Sequence, residues 1–179
     1  MPPTTIMAIR HGEKPSIDGS IAGVDLTGTP DPDSLSVKGW QRAGALTVLF
    51  ADPVRPGLRQ PAGLFAPGTS AHVTSKRAMR TLQPLSEMLG LPISTAFLKG
   101  QEPALAQALE MAQGPVLVAW EHHALCELAN QLLRRSDVSP QEWPDDRFDL
   151  IWVFERAGHS WDFRQVPQLL LAGDSPLPL

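Results

Sequence analysis

An apolar run near the N-terminus, residues 4–9, ends abruptly in a cluster of four residues, Arg10, His11, Gly12 and Glu13. The run is short, suits a strand that is buried on both faces, and is closed by a glycine. It therefore predicts a strand whose carboxyl end carries the polar cluster. Because ligands bind at that edge of open parallel sheets, the same four residues predict a functional site.

Helical patterns and apolar runs alternate along the rest of the chain. We predict a first helix that has Ser36 as its N-cap and ends near Asp52. A second helix is predicted over residues 78–89, where Pro84 should cause a kink or a late start. Two more helices are predicted, one from 102 to 114 and one after residue 120. We predict strands at residues 71–74, 93–97 and 115–120, and a hairpin formed by 149–154 and 160–166. Residues 14–32 and 53–70 read as irregular connections. This alternation predicts a three-layer α/β fold, with a mainly parallel central sheet flanked by helices.

Composition limits the classes of protein that the chain can belong to. Its 179 residues suffice for one core, so residues 1–179 are expected to form a single domain. A net charge of −4 and a pI near 5.7 argue against a nucleic-acid surface. The single cysteine, Cys126, excludes an internal disulfide and fits a reducing compartment. No signal peptide and no membrane-spanning run stand out, so we expect a cytoplasmic protein that does not bind membranes.

Arg10 and His11 suit anion chemistry. Gly12 lets the backbone turn, so that both side chains can surround one point. A guanidinium group can bind two phosphate oxygens, and the imidazole beside it can act as a base or as a nucleophile. The alternative for these residues alone is a surface arginine next to a solvent-exposed histidine.

A second cluster begins at Ser75 and includes Arg77 and Arg80, where the predicted strand 71–74 gives way to a helix. The backbone donors of a first helical turn, together with Ser75 and Arg77, could all face an anion. Arginines in a first turn are usually solvated, which is the competing interpretation.

A third cluster, Glu121, His122 and His123, follows the apolar run 115–120. A carboxylate and two histidines at the head of a buried strand suit proton transfer or stabilisation of an oxyanion. Consecutive histidines on an extended segment point to opposite sides, and the chain lacks the spaced helical pair of metallohydrolases. We therefore expect no metal and no other cofactor.

Taken together, these clusters resemble the motifs of the histidine phosphatase superfamily, the phosphoglycerate mutase-like group. The resemblance rests on four motifs. They are the cluster at residues 10–13; a helix-start pattern at Leu35, Ser36, Gly39 and Ala43; a second arginine motif at Ser75, Arg77, Ala78 and Thr81; and a strand followed by histidine at residues 116–122. These motifs follow the family's order and span most of the chain. The resemblance implies the phosphoglycerate mutase-like fold.

The resemblance also implies roles for individual residues. His11 is expected to be the nucleophile that forms a phosphohistidine, and His122 the second histidine of the pocket, with His123 as the alternative. The phosphate site is assigned to Arg10, Arg77, Glu13 and Ser75. Two guanidinium groups and imidazole donors can neutralise a phosphoryl group without a metal ion.

Two positions depart from the family pattern. The pocket histidine is usually followed by glycine, and here by His123. Arg42 stands where glutamine is common, a change expected to affect only the helix surface.

The proton donor for the leaving group is assigned to Glu102, with Glu121 and Glu13 as alternatives. The other interpretation of Glu102 is a glutamate that stabilises the N-terminus of a helix.

The sequence therefore predicts a metal-independent phosphatase that hydrolyses a phosphate monoester or a phosphorylated side chain. Its partner would be a phosphorylated small molecule or a phosphoprotein. The alternatives are a phosphoglycerate-type mutase, which needs a pocket closed to water, and a noncatalytic phosphate-binding module. The oligomeric state stays open, with a homodimer as one alternative.

Overall fold

The computed structural model describes residues 5–179, in which a six-stranded central sheet is flanked by helices. Residue 4 of the predicted first strand lies outside the described residues. The strands are β1 (Thr5–Arg10), β2 (Gly23–Val24), β3 (Leu35–Ser36), β4 (Gly63–Phe65), β5 (Ile93–Ser94), β6 (Val116–Trp120), β7 (Leu150–Ala157) and β8 (Ser160–Pro167). The helices are α1 (Val37–Ala51), α2 (Arg77–Leu89), α3 (Glu102–Met111) and α4 (His122–Leu133).

The central sheet has the strand order β5-β4-β6-β1-β7-β8. Strands β5, β4, β6 and β1 run parallel, whereas β7 and β8 form an antiparallel hairpin at the edge. In the register of β1 against β6, Arg10 lies opposite Trp120. The predicted mainly parallel sheet and the edge hairpin are both confirmed, and β1 and β6 end side by side at the carboxyl edge.

The third parallel strand is not where the sequence placed it. Residues 71–74 form no strand, and the prediction there was wrong; the strand is β4, inside a segment that was predicted to be irregular. Leu64 at its centre is 1% exposed. Because β4 has only three residues, it shows no alternation that would distinguish it from the surrounding prolines and glycines. Strand β5 is also shorter than the predicted 93–97.

The helices start close to the predicted positions. Ser36 is the N-cap of α1, and its Oγ accepts a hydrogen bond of 3.1 Å from the Gly39 N–H. Helix α2 begins at Arg77 and runs uninterrupted through Pro84 to its C-cap Gly90, which has φ 65°. Helix α3 ends at Met111, three residues before the predicted stop.

Two apolar clusters cover the faces of the sheet, which gives the three layers. Alternate residues of β1 face opposite sides: Ile6 and Ala8 pack with α3 and α4, whereas Met7 and Ile9 pack with α1 and α2. Four tryptophans are buried in the first cluster: Trp120, Trp143, Trp152 and Trp161. Among the described residues, no helix has the length and apolar character needed to cross a membrane.

Candidate active site

His11 lies directly after β1 and is 6% exposed. Its Nδ1 lies 2.8 Å from the carbonyl oxygen of Gly12, which can only accept, so Nδ1 carries the proton and Nε2 keeps its lone pair. Burial lowers the pKa of His11 to about 3, and the charges of Arg10 and Arg77 act in the same direction. The ring is therefore a neutral imidazole with a fixed orientation, the form that a nucleophile needs.

Close backbone packing around Gly12 fixes the loop that follows His11. The Gly12 N–H donates a 2.8 Å hydrogen bond to Oγ1 of Thr81 on α2. A Cβ atom at Gly12 would lie 2.9 Å from the carbonyl oxygen of Gly39 on α1. Glycine is required here because two backbones approach each other closely. These contacts join residues 12–13, which we call the signature loop, to both helices.

Arg10 is fully buried at the end of β1. Its Nη1 donates to the carbonyl oxygens of Pro144, Asp145 and Arg147 at 3.1, 2.8 and 2.9 Å, and its guanidinium carbon lies 3.8 Å from the centre of the Phe148 ring. Nε and Nη2 are buried without hydrogen-bond partners. Burial lowers the pKa of Arg10 to about 10, which still leaves the group charged at neutral pH. A buried cation with unsatisfied donors suits an anionic ligand.

Arg77 is the first residue of α2 and shares a cavity of about 400 Å³ with His11. Its Nη2 donates to the Pro32 carbonyl at 2.9 Å, while Nε is buried without a partner. Ser75, Lys99 and Glu121 also line this cavity. The structure thus brings three of the predicted site residues, His11, Arg77 and Ser75, together in one cavity.

His122, rather than His123, is the buried histidine after β6: it is 5% exposed, and His123 is exposed. Its Nε2 lies 2.6 Å from Oδ1 of Asp145. Its Nδ1 lies 2.9 Å from Oε1 of Glu121, which is ion-pair distance, but the atoms are not aligned for a hydrogen bond. Burial and the charge of Arg10 lower the pKa of His122, against the opposing effect of the two carboxylates. His122 therefore lies behind Glu121 rather than on the cavity wall.

Glu13 faces away from the cavity. Its carboxylate accepts three hydrogen bonds from the Nε and Nη2 atoms of Arg42, at 2.8 to 3.1 Å. Arg42 is 2% exposed and also binds Asp174 and Gln168. The expectation that Arg42 affects only the helix surface was wrong, because its side chain reaches inward to a partner that the helical pattern does not reveal.

Glu102 is buried in a structural contact. Its Oε1 accepts hydrogen bonds from the Trp120 indole N–H at 2.9 Å and from the Gly100 N–H at 3.0 Å. It does not line the cavity that holds His11. These contacts tie the start of α3 to the end of β6, and the assignment of Glu102 as a proton donor stays a prediction.

The segment 144–148 carries functional groups that the sequence did not point to. Its carbonyl groups hold Arg10, its Asp145 carboxylate contacts His122, and its Phe148 ring lies 6.1 Å from the His11 ring. No periodicity or motif marks this segment. Only its proximity to the edge hairpin could have suggested that it returns to the site.

The ligand atoms of Glu121, His122 and His123 lie within 4.8 Å of one another, a spacing that a metal ion could bridge. Two of the groups already have other partners: Glu121 Oε2 binds Lys99 and the Ala124 N–H, and His122 Nε2 faces Asp145. The described contacts of Glu121 and His122 are thus ion pairs and hydrogen bonds to other groups of the protein.

No family model matches the sequence, and no curated protein is detectably similar to it. Solved structures do match. A mycobacterial glucosyl-3-phosphoglycerate phosphatase complexed with VO3 is 15% identical, with a TM-score of 0.54 over 92% of this chain and 98% of that one. The protein histidine phosphatase SixA complexed with tungstate is 17% identical, with a TM-score of 0.55 over 92% of this chain and 97% of that one. The chain therefore shares the fold of these two phosphatases, and the predicted phosphoglycerate mutase-like α/β fold is confirmed.

Proposed function

We propose that this chain is a metal-independent phosphatase that hydrolyses a phosphate monoester through a phosphohistidine intermediate on His11. The observation that carries the proposal is the state of His11: a neutral imidazole, with Nδ1 bound to the Gly12 carbonyl, in a cavity shared with Arg77. This arrangement leaves the Nε2 lone pair for attack on phosphorus.

The two arginines supply the charge that phosphoryl transfer needs. Arg10 and Arg77 each keep a buried Nε without a partner, and Arg10 also keeps Nη2. Donors already fixed near the nucleophile can bind the equatorial oxygens of a phosphoryl group with little rearrangement. Ser75, on the same cavity wall, offers a further donor. Glu13 supports the loop after His11 through its pair with Arg42.

The size of the cavity favours a small phosphate ester or a phosphorylated side chain as the substrate. Its volume of about 400 Å³ lies at the lower end of small-molecule sites. Two proteins with this fold are named for the hydrolysis of glucosyl-3-phosphoglycerate and of phosphohistidine in a protein. A small-molecule phosphate or a phosphoprotein is accordingly the proposed partner. A mutase would have to exclude water during the return transfer, so hydrolysis is our first choice.

Three expectations from the sequence accompany this proposal. They are that residues 1–179 act as one catalytic domain, that the protein is cytoplasmic, and that it requires no cofactor. A homodimer remains compatible with the site, because His11, Arg10 and Arg77 all come from one chain.

The test uses 4-nitrophenyl phosphate, whose leaving group requires no proton. The unaltered protein should release 4-nitrophenol, and His11→Asn should abolish release. The control is His159→Asn, in the exposed turn of the edge hairpin, which should retain activity. Denaturation with SDS at alkaline pH during turnover should trap a phosphoryl group in the unaltered protein and in the control, and acid should then release it.

If the protein binds phosphate or tungstate in a way that depends on Arg77, but hydrolyses no 4-nitrophenyl phosphate at any pH from mildly acidic to neutral, the phosphatase proposal is wrong. The chain would then be a noncatalytic phosphate-binding module.

A further inference from the structure

Glu121 directly follows β6, as His11 directly follows β1. Arg10 lies opposite Trp120 in the parallel register, and the His11 N–H donates to the Trp120 carbonyl at 3.1 Å. His11 and Glu121 are the next residues of their respective strands. Because successive residues of neighbouring parallel strands lie side by side, the two side chains leave the sheet edge together, and both line the same cavity.

A connected chain of ionisable groups stands behind Glu121. Its Oε1 lies 2.9 Å from Nδ1 of His122, and Nε2 of His122 lies 2.6 Å from Asp145. On the other side, Oε2 of Glu121 binds Lys99 at 3.2 Å and the Ala124 N–H at 3.2 Å. Glu121 is thus anchored as the N-cap of α4 while its carboxylate faces the cavity.

From this geometry we infer that Glu121 is the group that exchanges protons with the substrate, and that Nδ1 of the buried His122 ring receives the proton that Glu121 takes up. The inference rests on the proposed function, since it assigns the proton donor and acceptor of that same reaction. Nε2 of His122 lies 2.6 Å from the Asp145 carboxylate, which can only accept, so Nε2 carries the proton of the neutral ring and Nδ1 keeps its lone pair. Nδ1 is buried without a hydrogen-bond partner, 2.9 Å from the Glu121 carboxylate. Such pairs are often misaligned in a free enzyme and become aligned when substrate binds.

In the first step, Nε2 of His11 forms a bond to phosphorus and the bond from phosphorus to the leaving oxygen breaks. The pair formed by Glu121 and His122 takes up one proton from solvent when the anionic substrate binds, and Glu121 passes that proton to the leaving oxygen. In the second step, water attacks phosphorus and the bond to Nε2 of His11 breaks. The proton of the water passes through Glu121 to Nδ1 of His122, so one water is consumed, and the free enzyme is restored when phosphate and that proton are released.

The charge around Glu121 suits the second step in particular. Burial raises the pKa of Glu121, but the hydrogen bond and charge of Lys99, the Ala124 N–H and the charge of His122 outweigh it and leave the pKa below its ordinary value. Glu121 is therefore an anion that can accept the proton of the water. Once Glu121 has received that proton, the lone pair on Nδ1 of His122 can accept it, 2.9 Å from the carboxylate.

Asp33 is another carboxylate on the cavity wall. Its Oδ1 accepts a hydrogen bond from Thr74 Oγ1 at 2.9 Å, and its charge acts on Arg77. It belongs to the loop before α1, not to the strand end beside His11. Asp33 has no imidazole behind it among its described contacts, so it lacks the second proton acceptor that Glu121 has.

The test is Glu121→Gln, which keeps the shape of the side chain but cannot carry the proton. With 4-nitrophenyl phosphate, the first step should continue and the second should slow roughly 100-fold or more. The variant should therefore release a burst of 4-nitrophenol, close to one equivalent per enzyme, and accumulate phosphorylated His11. With phenyl phosphate, a poorer leaving group, the burst itself should be slow.

Glu127→Gln on the exposed face of α4 is the matched control and should behave as the unaltered protein. Asp33→Asn tests whether the other carboxylate on the cavity wall has the same role. Tungstate binding by Glu121→Gln shows that the site is folded, and Glu121→Asp, which keeps a carboxylate at the N-cap, should regain part of the second-step rate.

A steady-state rate in Glu121→Gln within threefold of the control overturns the inference, as does accumulation of phosphohistidine in Asp33→Asn instead. If Glu121→Gln does not fold, the second-step rate of Glu121→Asp is measured instead. A rate equal to that of the unaltered protein would count against the inference, because the shortened carboxylate should transfer the proton less well. If the unaltered protein releases no 4-nitrophenol, the proposed function fails first and this inference fails with it.

Discussion

Arg42 and Glu13 form a buried ion pair that links α1 to the loop after the nucleophile, with Nη2 of Arg42 2.8 Å from Oε1 of Glu13. The same guanidinium group binds Asp174 at 2.8 Å and Gln168 at 2.8 Å. One side chain therefore holds three separate parts of the chain: the signature loop, the first helix and the C-terminal segment.

Replacement of Arg42 by alanine should lower the free energy of unfolding by about 3–5 kcal/mol, because it leaves two buried carboxylates without their cation. Urea unfolding followed by circular dichroism measures the loss. Gln41→Ala, at an exposed position of the same helix, is the control and should change stability by less than about 0.5 kcal/mol. A loss for Arg42→Ala no larger than that of the control would mean that the ion pairs of Arg42 make no net contribution to the free energy of unfolding.

Gly12→Ala should reduce both stability and activity. The added Cβ would meet the Gly39 carbonyl oxygen at 2.9 Å, so either the signature loop or α1 must move and His11 with it. Overpacking of this kind costs about 1–3 kcal/mol. The matched control is Gly44→Ala on exposed α1 surface, where a Cβ would meet nothing within 4 Å. That change should instead stabilise the helix, by about 0.5–1 kcal/mol. Equal thermal shifts of the same sign in both variants would contradict this account.

The buried neutral imidazole of His11 should make the protein less stable in acid. Its folded-state pKa of about 3 lies below its ordinary value of 6.5, so the unfolded chain binds the proton more readily. The contribution of His11 is fully present above pH 6.5 and is lost as the pH falls towards 3. His11→Gln should therefore reduce the dependence of unfolding free energy on pH in that window. Identical slopes for the variant and the unaltered protein would show that the ring is not held neutral by the fold.

Asp145→Asn should weaken catalysis while leaving the fold intact. Asp145 is exposed but orients the buried His122 ring through a 2.6 Å contact, and the amide can no longer stabilise a proton on Nε2. Groups that orient a reactive imidazole contribute roughly 10- to 100-fold, so we expect kcat to fall within that range, with a changed pH profile and little change in KM. Asp146→Asn, at the neighbouring exposed position, controls for loss of charge near Arg10. Equal rates for the two variants would remove Asp145 from the mechanism.

The sequence predicted the strand that carries His11 and the helix cap at Ser36, because each depends on local patterns. It missed β4, since three residues are too few for a period to show. The importance of Glu121 depends on the register between β1 and β6, where a shift of one residue would have placed His122 beside His11 instead. Arg42 and Asp145 act across 29 and 23 residues of sequence, respectively, and no local pattern reports such contacts.

The carbonyl groups of residues 144–147 hold Arg10 in a fixed orientation, and Phe148 covers one face of its guanidinium group. The dehydration of this cation is therefore completed when the chain folds, before any ligand arrives. A phosphoryl group bound by Arg10, as we propose, would meet a cation that does not have to lose water or change its rotamer. Little free energy would then be needed to order Arg10 on binding, because its orientation is fixed by the fold.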